Sequence, residues 1–452
     1  MEKKNRICAY KGDPVVPGVN KKKNGINFAV EVPGDTEASL VLYRKGAAEP
    51  ETELLFTEEY RTGRMCAMLV TGLRPERYEY NFRIDGKIVQ DPFACVIRGR
   101  EKFGAPLSKD EHEVRCAFLS EKEYDWEGDT APEIPYSEMI LYKIHVRGYT
   151  RQAKLALRKR GTFAGLTEMI PYWKELGINA VELMPAYEFQ ECVQADHAVN
   201  LAVRKKSDDR INYWGYTRGF YFAPKESYCA TKEPDREFRD MIRALHKAGI
   251  ECIMEMYFPK GTPSLQMIRS LWFWKLYYHV DGFHLLGDGV QQDVIEHDPI
   301  LYGTKKLFSN VSGEADAENM LAEYNAGFML DMRRFLKSDE GMISGAEFHV
   351  RRNTGNFGTV NYMATQDGFT LYDTVSYNYR HNEANGEDNR DGSEFNYSWN
   401  CGVEGSTRKT AVRRMREQQM RNAFLMLLLS QGIPMIYGGD EFANSQAGNN
   451  NV

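Results

Sequence analysis

From Gly25 to Arg98 the chain runs in short segments that alternate apolar and polar residues: INFAVEV, ASLVLYR, RMCAMLV and YEYNFRI. Gly, Pro, Asp or Asn bounds each one, and a period of two between turn residues predicts a small antiparallel β-sandwich over residues 8–116. Residues 117–137 break that rhythm with Pro132, Pro135 and many acids, and read as a linker. From residue 138 the pattern changes to apolar strands separated by helices. MILYKIHVRGYT is a buried strand; KELGINAVELMP is a helix end, a cap at Gly177 and a second strand. HKAGIECIMEMYF repeats that outline around Gly249. YYHVDGFHLL, TKKLFS, GMISGAEF and TVNYMATQD read as further strands, and a helix from about Lys409 to Ser430 precedes IPMIYGGDEF. Eight candidate strands alternating with helices over residues 138–452 predict an α/β chain with a closed (β/α)₈ barrel, whose chemistry sits at the C-terminal strand ends.

Composition narrows the function classes. Of 452 residues, 42% are hydrophobic and 27% charged, ordinary globular values. A net charge of -6 leaves no basic surplus for nucleic acid or an anionic membrane. Aromatics at 12% suit stacking on sugar faces and equally suit an aromatic core. MEKKNRICAYKG is not followed by the apolar stretch of a secretory signal, and no apolar run reaches the roughly twenty residues of a membrane span. The eight cysteines lack zinc or redox spacing and read as reduced thiols of a cytoplasmic protein.

Several stretches are more particular. YKIHVRGYT, NAVELMPAYEF, NYWGYTRGFYFAP, DGFTLYDTVSYNYRHNEANGEDNRDG, NYSWNCGVEG and IPMIYGGDEFANSQAGNNN resemble the glycogen-debranching and isoamylase group of the α-amylase superfamily, glycoside hydrolase family 13. The resemblance covers nearly the whole chain, and YEYNFRIDG followed by DPFA is similar to that group's starch-binding-like module. It implies retaining hydrolysis of α-glucosidic bonds, in which one carboxylate attacks the anomeric carbon and a second protonates the leaving oxygen. A third holds the distorted sugar.

The chain departs from that pattern at most strand ends. On the third strand Glu255 stands at an aspartate's place, and Pro259 and Lys260 at those of an Asn-His pair. On the fourth, His284 takes the arginine's place and Leu286 the nucleophile's. Asp288 lies two residues on, on the same side as Leu286 by strand alternation, but displaced by roughly 6.5–7 Å along the strand. On the fifth, Ser309 falls at the acid's place, with Glu314 nearby as a recruit. On the seventh, Gln366 replaces a histidine while Asp367 keeps the stabilising position. Tyr187 occupies another histidine's place, after the second strand. The NYWGY run is intact, so Tyr216 and Trp214 are candidates to stack on a sugar, Trp214 reading equally as core. Arg147 reads as structural, at the end of the first strand.

Three functions compete. A glucan-binding, non-hydrolytic relative fits losses concentrated at the reaction centre, with α-glucan as partner. An active α-1,6 debranching hydrolase would need Asp288 or Glu314 in displaced roles. An interaction protein without sugar binding is favoured slightly by Pro259 and Lys260. No cofactor is implied, and no oxygen-ligand cluster specifies calcium or another metal. The resemblance also implies a last helix and an antiparallel C-terminal domain after the eighth strand. The sequence stops at QAGNNNV, which reads as a C-terminal β-domain absent, through either a gene fragment or a natural shortening.

Overall fold

The computed structural model describes residues 6–106, 110–120, 123–192, 211–311, 318 and 320–452. The predicted alternation produces two antiparallel sheets in the N-terminal region. One orders Cys8–Lys11, Met65–Thr71, Gly25–Glu31 and Gly18–Lys22; the other orders Val96–Arg98, Arg115–Ala117, Tyr78–Ile84, Ala38–Arg44 and Pro50–Leu55. Phe28, Val30, Met68 and Val70 from the first pack against Leu40, Leu42, Tyr80 and Phe82 from the second, all at most 5% exposed. This is the inward half of each period-two run.

The segment after the sandwich is strapped to the barrel. Asp129 accepts hydrogen bonds from His246 and His279, each at 2.9 Å, and Trp126 stacks on the His279 ring at 3.7 Å. The stretch around Trp126 and Asp129 is therefore held against the barrel.

Eight parallel strands close the barrel in sequence order: Leu141–Ile144, Ala180–Leu183, Glu251–Tyr257, Gly282–Leu286, Lys305–Phe308, Leu321–Tyr324, Gly358–Tyr362 and Ile433–Tyr437. The sixth corrects the sequence reading. GMISGAEF is not a strand but enters the helix Ile343–Arg351, which buries Met342, Ala346 and His349 at helical spacing. The strand is instead LAEY, too short for an alternation to show. Among the described residues all eight cysteines are free, and no helix is long and apolar enough to cross a membrane.

Inward-facing side chains fill the barrel in layers. The lower layer is apolar, with Leu141, Ala180, Ile253, Leu307, Ala322, Val360 and Ile433. Above it, toward the C-terminal ends, Lys143, Glu182, Glu255 and His284 form a charged layer, each at most 3% exposed.

The strap carries a pH dependence. Burial opposes charge on His246, but the carboxylates of Asp281 and Asp129 outweigh it and raise its pKa. A raised histidine stabilises fully below its unfolded value of about 6.5, and that contribution fades as pH rises through the folded value. Unfolding free energy measured in urea should therefore fall from about pH 6.5 upward. Asp129→Asn should cost about 1.5–3 kcal/mol at pH 6 and flatten that fall. An unchanged pH slope in the variant would place the dependence elsewhere.

Candidate functional site

At the C-terminal mouth the fourth strand ends at Leu286, which is half-buried, while Phe283 and Leu285 face the helices. Gly287 follows at φ 95°, where a Cβ would lie 2.5 Å from the Phe258 carbonyl. The backbone is pinned there: Phe258 N–H donates to Leu286 O, and Gly289 N–H to Phe258 O, both at 2.8 Å. The left-handed glycine ends the strand, so strand alternation does not extend to Asp288. That residue stands on an exposed turn, a correction to its expected alignment with Leu286. Ser309 is exposed just past the fifth strand, and Glu314 lies outside the described residues. Lys260 is exposed and Pro259 half-buried on the turn after the third strand.

Below this mouth sits the charged layer. Lys143, from the first strand, contacts Glu255 through its ammonium and lies 3.4 Å from Glu182. His284 bonds Glu182 through Nδ1 at 2.9 Å and stacks on the Tyr324 ring at 4.0 Å, while the Tyr324 hydroxyl donates to Glu182. Burial works against every charge here, but pairing prevails. The Glu255 carboxyl is held well below the usual range by Lys143 and His284. Lys143 is raised by Glu255 and Glu182, and His284 is raised by Glu182 and Glu255. Two glutamates thus face one lysine and one histidine.

Donor atoms of Glu182, Glu255 and His284 converge within 4.8 Å, the only such metal-capable group among the described residues. Yet the Lys143 ammonium lies against both carboxylates. A side chain thus takes the place a metal ion would need, and the set does not fit one.

Of the residues expected to touch a sugar, three are buried beneath the mouth. Glu255 and Tyr187 are 0% exposed and His284 is 3% exposed. Tyr187 supports the aromatic loop: its hydroxyl lies 3.2 Å from the carbonyls of Gly215 and Thr217. Gly215, at φ 88°, is forced by contact, since a Cβ there would meet the Phe189 ring at 2.4 Å. Trp214, Tyr216, Gln366 and exposed Asp367 remain at the mouth. Tyr216 meets Trp214 edge-on at 6.2 Å and Tyr257 at 6.1 Å. Its hydroxyl donates to Glu255 Oε2 at 2.7 Å and accepts from Gln366 Nε2 at 2.8 Å.

Arg147 lies in the helical turn Val146–Thr150 rather than on the strand, with its guanidinium 4.4 Å from the Phe103 ring. His145 caps that turn, and its ring stacks on Tyr213 at 4.5 Å. Burial pushes the His145 pKa down to about 4, so the imidazole stays neutral. Sequence reasoning passed over Lys143, Glu182, Tyr257 and Tyr324. The signal for the first two was a charged residue at an inward position of an otherwise apolar strand, YKI and VEL.

No family model matches the chain. Isoamylase 1, chloroplastic, of Arabidopsis thaliana is 30% identical, in an alignment covering 100% of this chain and 72% of that protein. The glycogen operon protein GlgX homolog of Haemophilus influenzae is 29% identical over 98% of this chain and 80% of its own length. Pullulanase from Paenibacillus barengoltzii, crystallised with maltohexaose and α-cyclodextrin, has the same fold at a TM-score of 0.68 and 19% identity. That match covers 96% of this chain and 75% of the pullulanase.

The charged layer is testable by itself. Lys143→Met leaves Glu182 and Glu255 without their buried ammonium, and should cost about 3–5 kcal/mol in urea unfolding. A loss below about 1 kcal/mol would mean the pair contributes no more than an exposed salt bridge.

Proposed function

Because the chain belongs to the isoamylase and glycogen-debranching group of the α-amylase superfamily, we propose that it binds α-glucans at the barrel mouth without hydrolysing them. The observation that carries this reading is the content of two strand ends. The nucleophile's place holds Leu286 and the acid's place holds Ser309. A leucine has no lone pair to attack an anomeric carbon, and a serine hydroxyl is far too weak an acid to protonate a departing glycosidic oxygen. Loss of a nucleophile alone costs about 10⁴–10⁶ in rate in a covalent mechanism.

Two nearby carboxylates argue against a replacement. Asp288 is directed to solvent by its turn, and Glu255 is fully buried and committed to Lys143 and Tyr216. Binding has different needs. An α-glucan presents C–H faces that stack on rings and hydroxyls that bond planar amides and carboxylates. Tyr216, Trp214, Gln366 and Asp367 supply those groups at the mouth.

Two measurements on the full chain test this. Titration calorimetry with maltohexaose should give a binding isotherm, weakened at least about tenfold by Trp214→Ala with Tyr216→Ala. Incubation with glycogen or pullulan should release no reducing ends. Reducing ends that appear with the wild type and vanish with Asp288→Ala would instead establish a hydrolase with a displaced carboxylate. Absence of heat at millimolar maltohexaose would leave an interaction protein whose groove no longer takes sugar.

A further inference from the structure

Tyr216 joins what a glucan would touch to what it cannot reach. Its ring is half-buried at the mouth, flanked edge-on by Trp214 and Tyr257. Both neighbours are steeply inclined to it, at 73° and 61°. Its hydroxyl is spent inside the protein, donating to Glu255 at 2.7 Å and accepting from Gln366 at 2.8 Å. A phenol has one proton to give, so a ligand meets the ring and not an O–H donor.

The two partners come from different strand ends. Glu255 lies on the third strand, and Gln366 follows the seventh, where Thr365 donates to its amide oxygen. They hold one hydroxyl from two directions and fix both side-chain torsions of Tyr216, which its backbone alone leaves free. Glu255 is itself immobilised by the Lys143 ammonium, which reaches it from the first strand. Glu255 is 0% exposed and Lys143 2% exposed, so neither can contact a bound sugar.

On the glucan-binding reading above, we infer that Glu255 is a positioning residue, which with Lys143 behind it and Gln366 opposite aims the Tyr216 ring at the sugar face. Affinity for sugar then depends on a buried ion pair that no sugar touches. A ring free to swing must be ordered when ligand arrives, and that ordering cost subtracts from binding.

The test is a double-mutant cycle on the full chain, read by calorimetry with maltohexaose and by thermal melting without it. Tyr216→Phe keeps the ring and removes the hydroxyl. It should weaken maltohexaose by about tenfold, the worth of one hydrogen bond to a charged group. Glu255→Gln should weaken binding comparably in the Tyr216 background and have no further effect in the Tyr216→Phe background. Glu255 can act on ligand only through that hydroxyl. A destabilisation unrelated to positioning would lower the melting temperature in both backgrounds and leave the affinity differences additive.

Should Glu255→Gln fail to fold, Glu255→Asp, which keeps the charge facing Lys143 and shortens the reach to the Tyr216 hydroxyl, closes the same cycle. Additive losses, or a wild type that binds while none of the variants weakens it, overturn the inference and leave glucan binding standing. A wild type that does not bind maltohexaose fails in its own arm, and takes both the binding reading and this inference with it.

Discussion

The charge balance inside the barrel constrains everything above it. Glu182 and Glu255 are fully buried, and each ion taken from water costs several kcal/mol even after relaxation. Lys143 and His284 offset that cost, and Tyr324 donates to an oxygen the cations leave over. The four charges come from the first four strands, so the layer ties together half of the barrel wall. Lys143 lies against both carboxylates, and His284 bonds Glu182 through Nδ1. A carboxylate at the place of Leu286 would stand roughly 6.5–7 Å along the strand from His284, whose Nε2 has no hydrogen-bond partner.

The same layer organises the mouth. Glu255 faces down to Lys143 and up to Tyr216, so the aromatic site rests on the ion pair through one hydrogen bond. Packing sets the rest of the loop. Tyr187 sits under the Gly215 and Thr217 carbonyls, Phe189 closes the space beside Gly215, and His145 holds Tyr213 by stacking. These supports are buried and neutral, so they do not draw on the charge balance. The sandwich side is fixed separately, by the Asp129 strap at the opposite end of the strands.

How far this was legible in the sequence depended on what a linear pattern encodes. Period-two alternation and the strand–helix rhythm report which face of an element is buried, and they located both regions and seven of the eight barrel strands. LAEY was missed because four residues are too few to show an alternation, while GMISGAEF hid a helix start in an apolar-looking run. Position along a strand was legible, but depth was not. Glu255, His284 and Tyr187 occupy motif places yet lie beneath the floor, since larger side chains bend inward to partners that only the closed barrel supplies. Asp288 was misaligned because one glycine at positive φ, invisible to a periodicity argument, ends the strand before it.

The distribution of changes also bears on what kind of protein survives on this scaffold. Hydrolysis requires interactions stronger in the transition state than in the ground state, and for an oxocarbenium-like centre those are a placed carboxylate and a placed acid. Binding requires only that shape and hydrogen bonds suit the intact sugar. On the proposed reading, Leu286 and Ser309 stand at the places of groups of the first kind. Tyr216, Trp214, Gln366 and Asp367 belong to the second kind, with Tyr216 held by hydrogen bonds from two strand ends. On the binding reading, the phenol bonded from both sides and the ion pair beneath it hold one ring in place. A buried pair costs stability relative to apolar residues of the same volume. Its presence directly under the aromatic platform is most economically explained by what the platform holds.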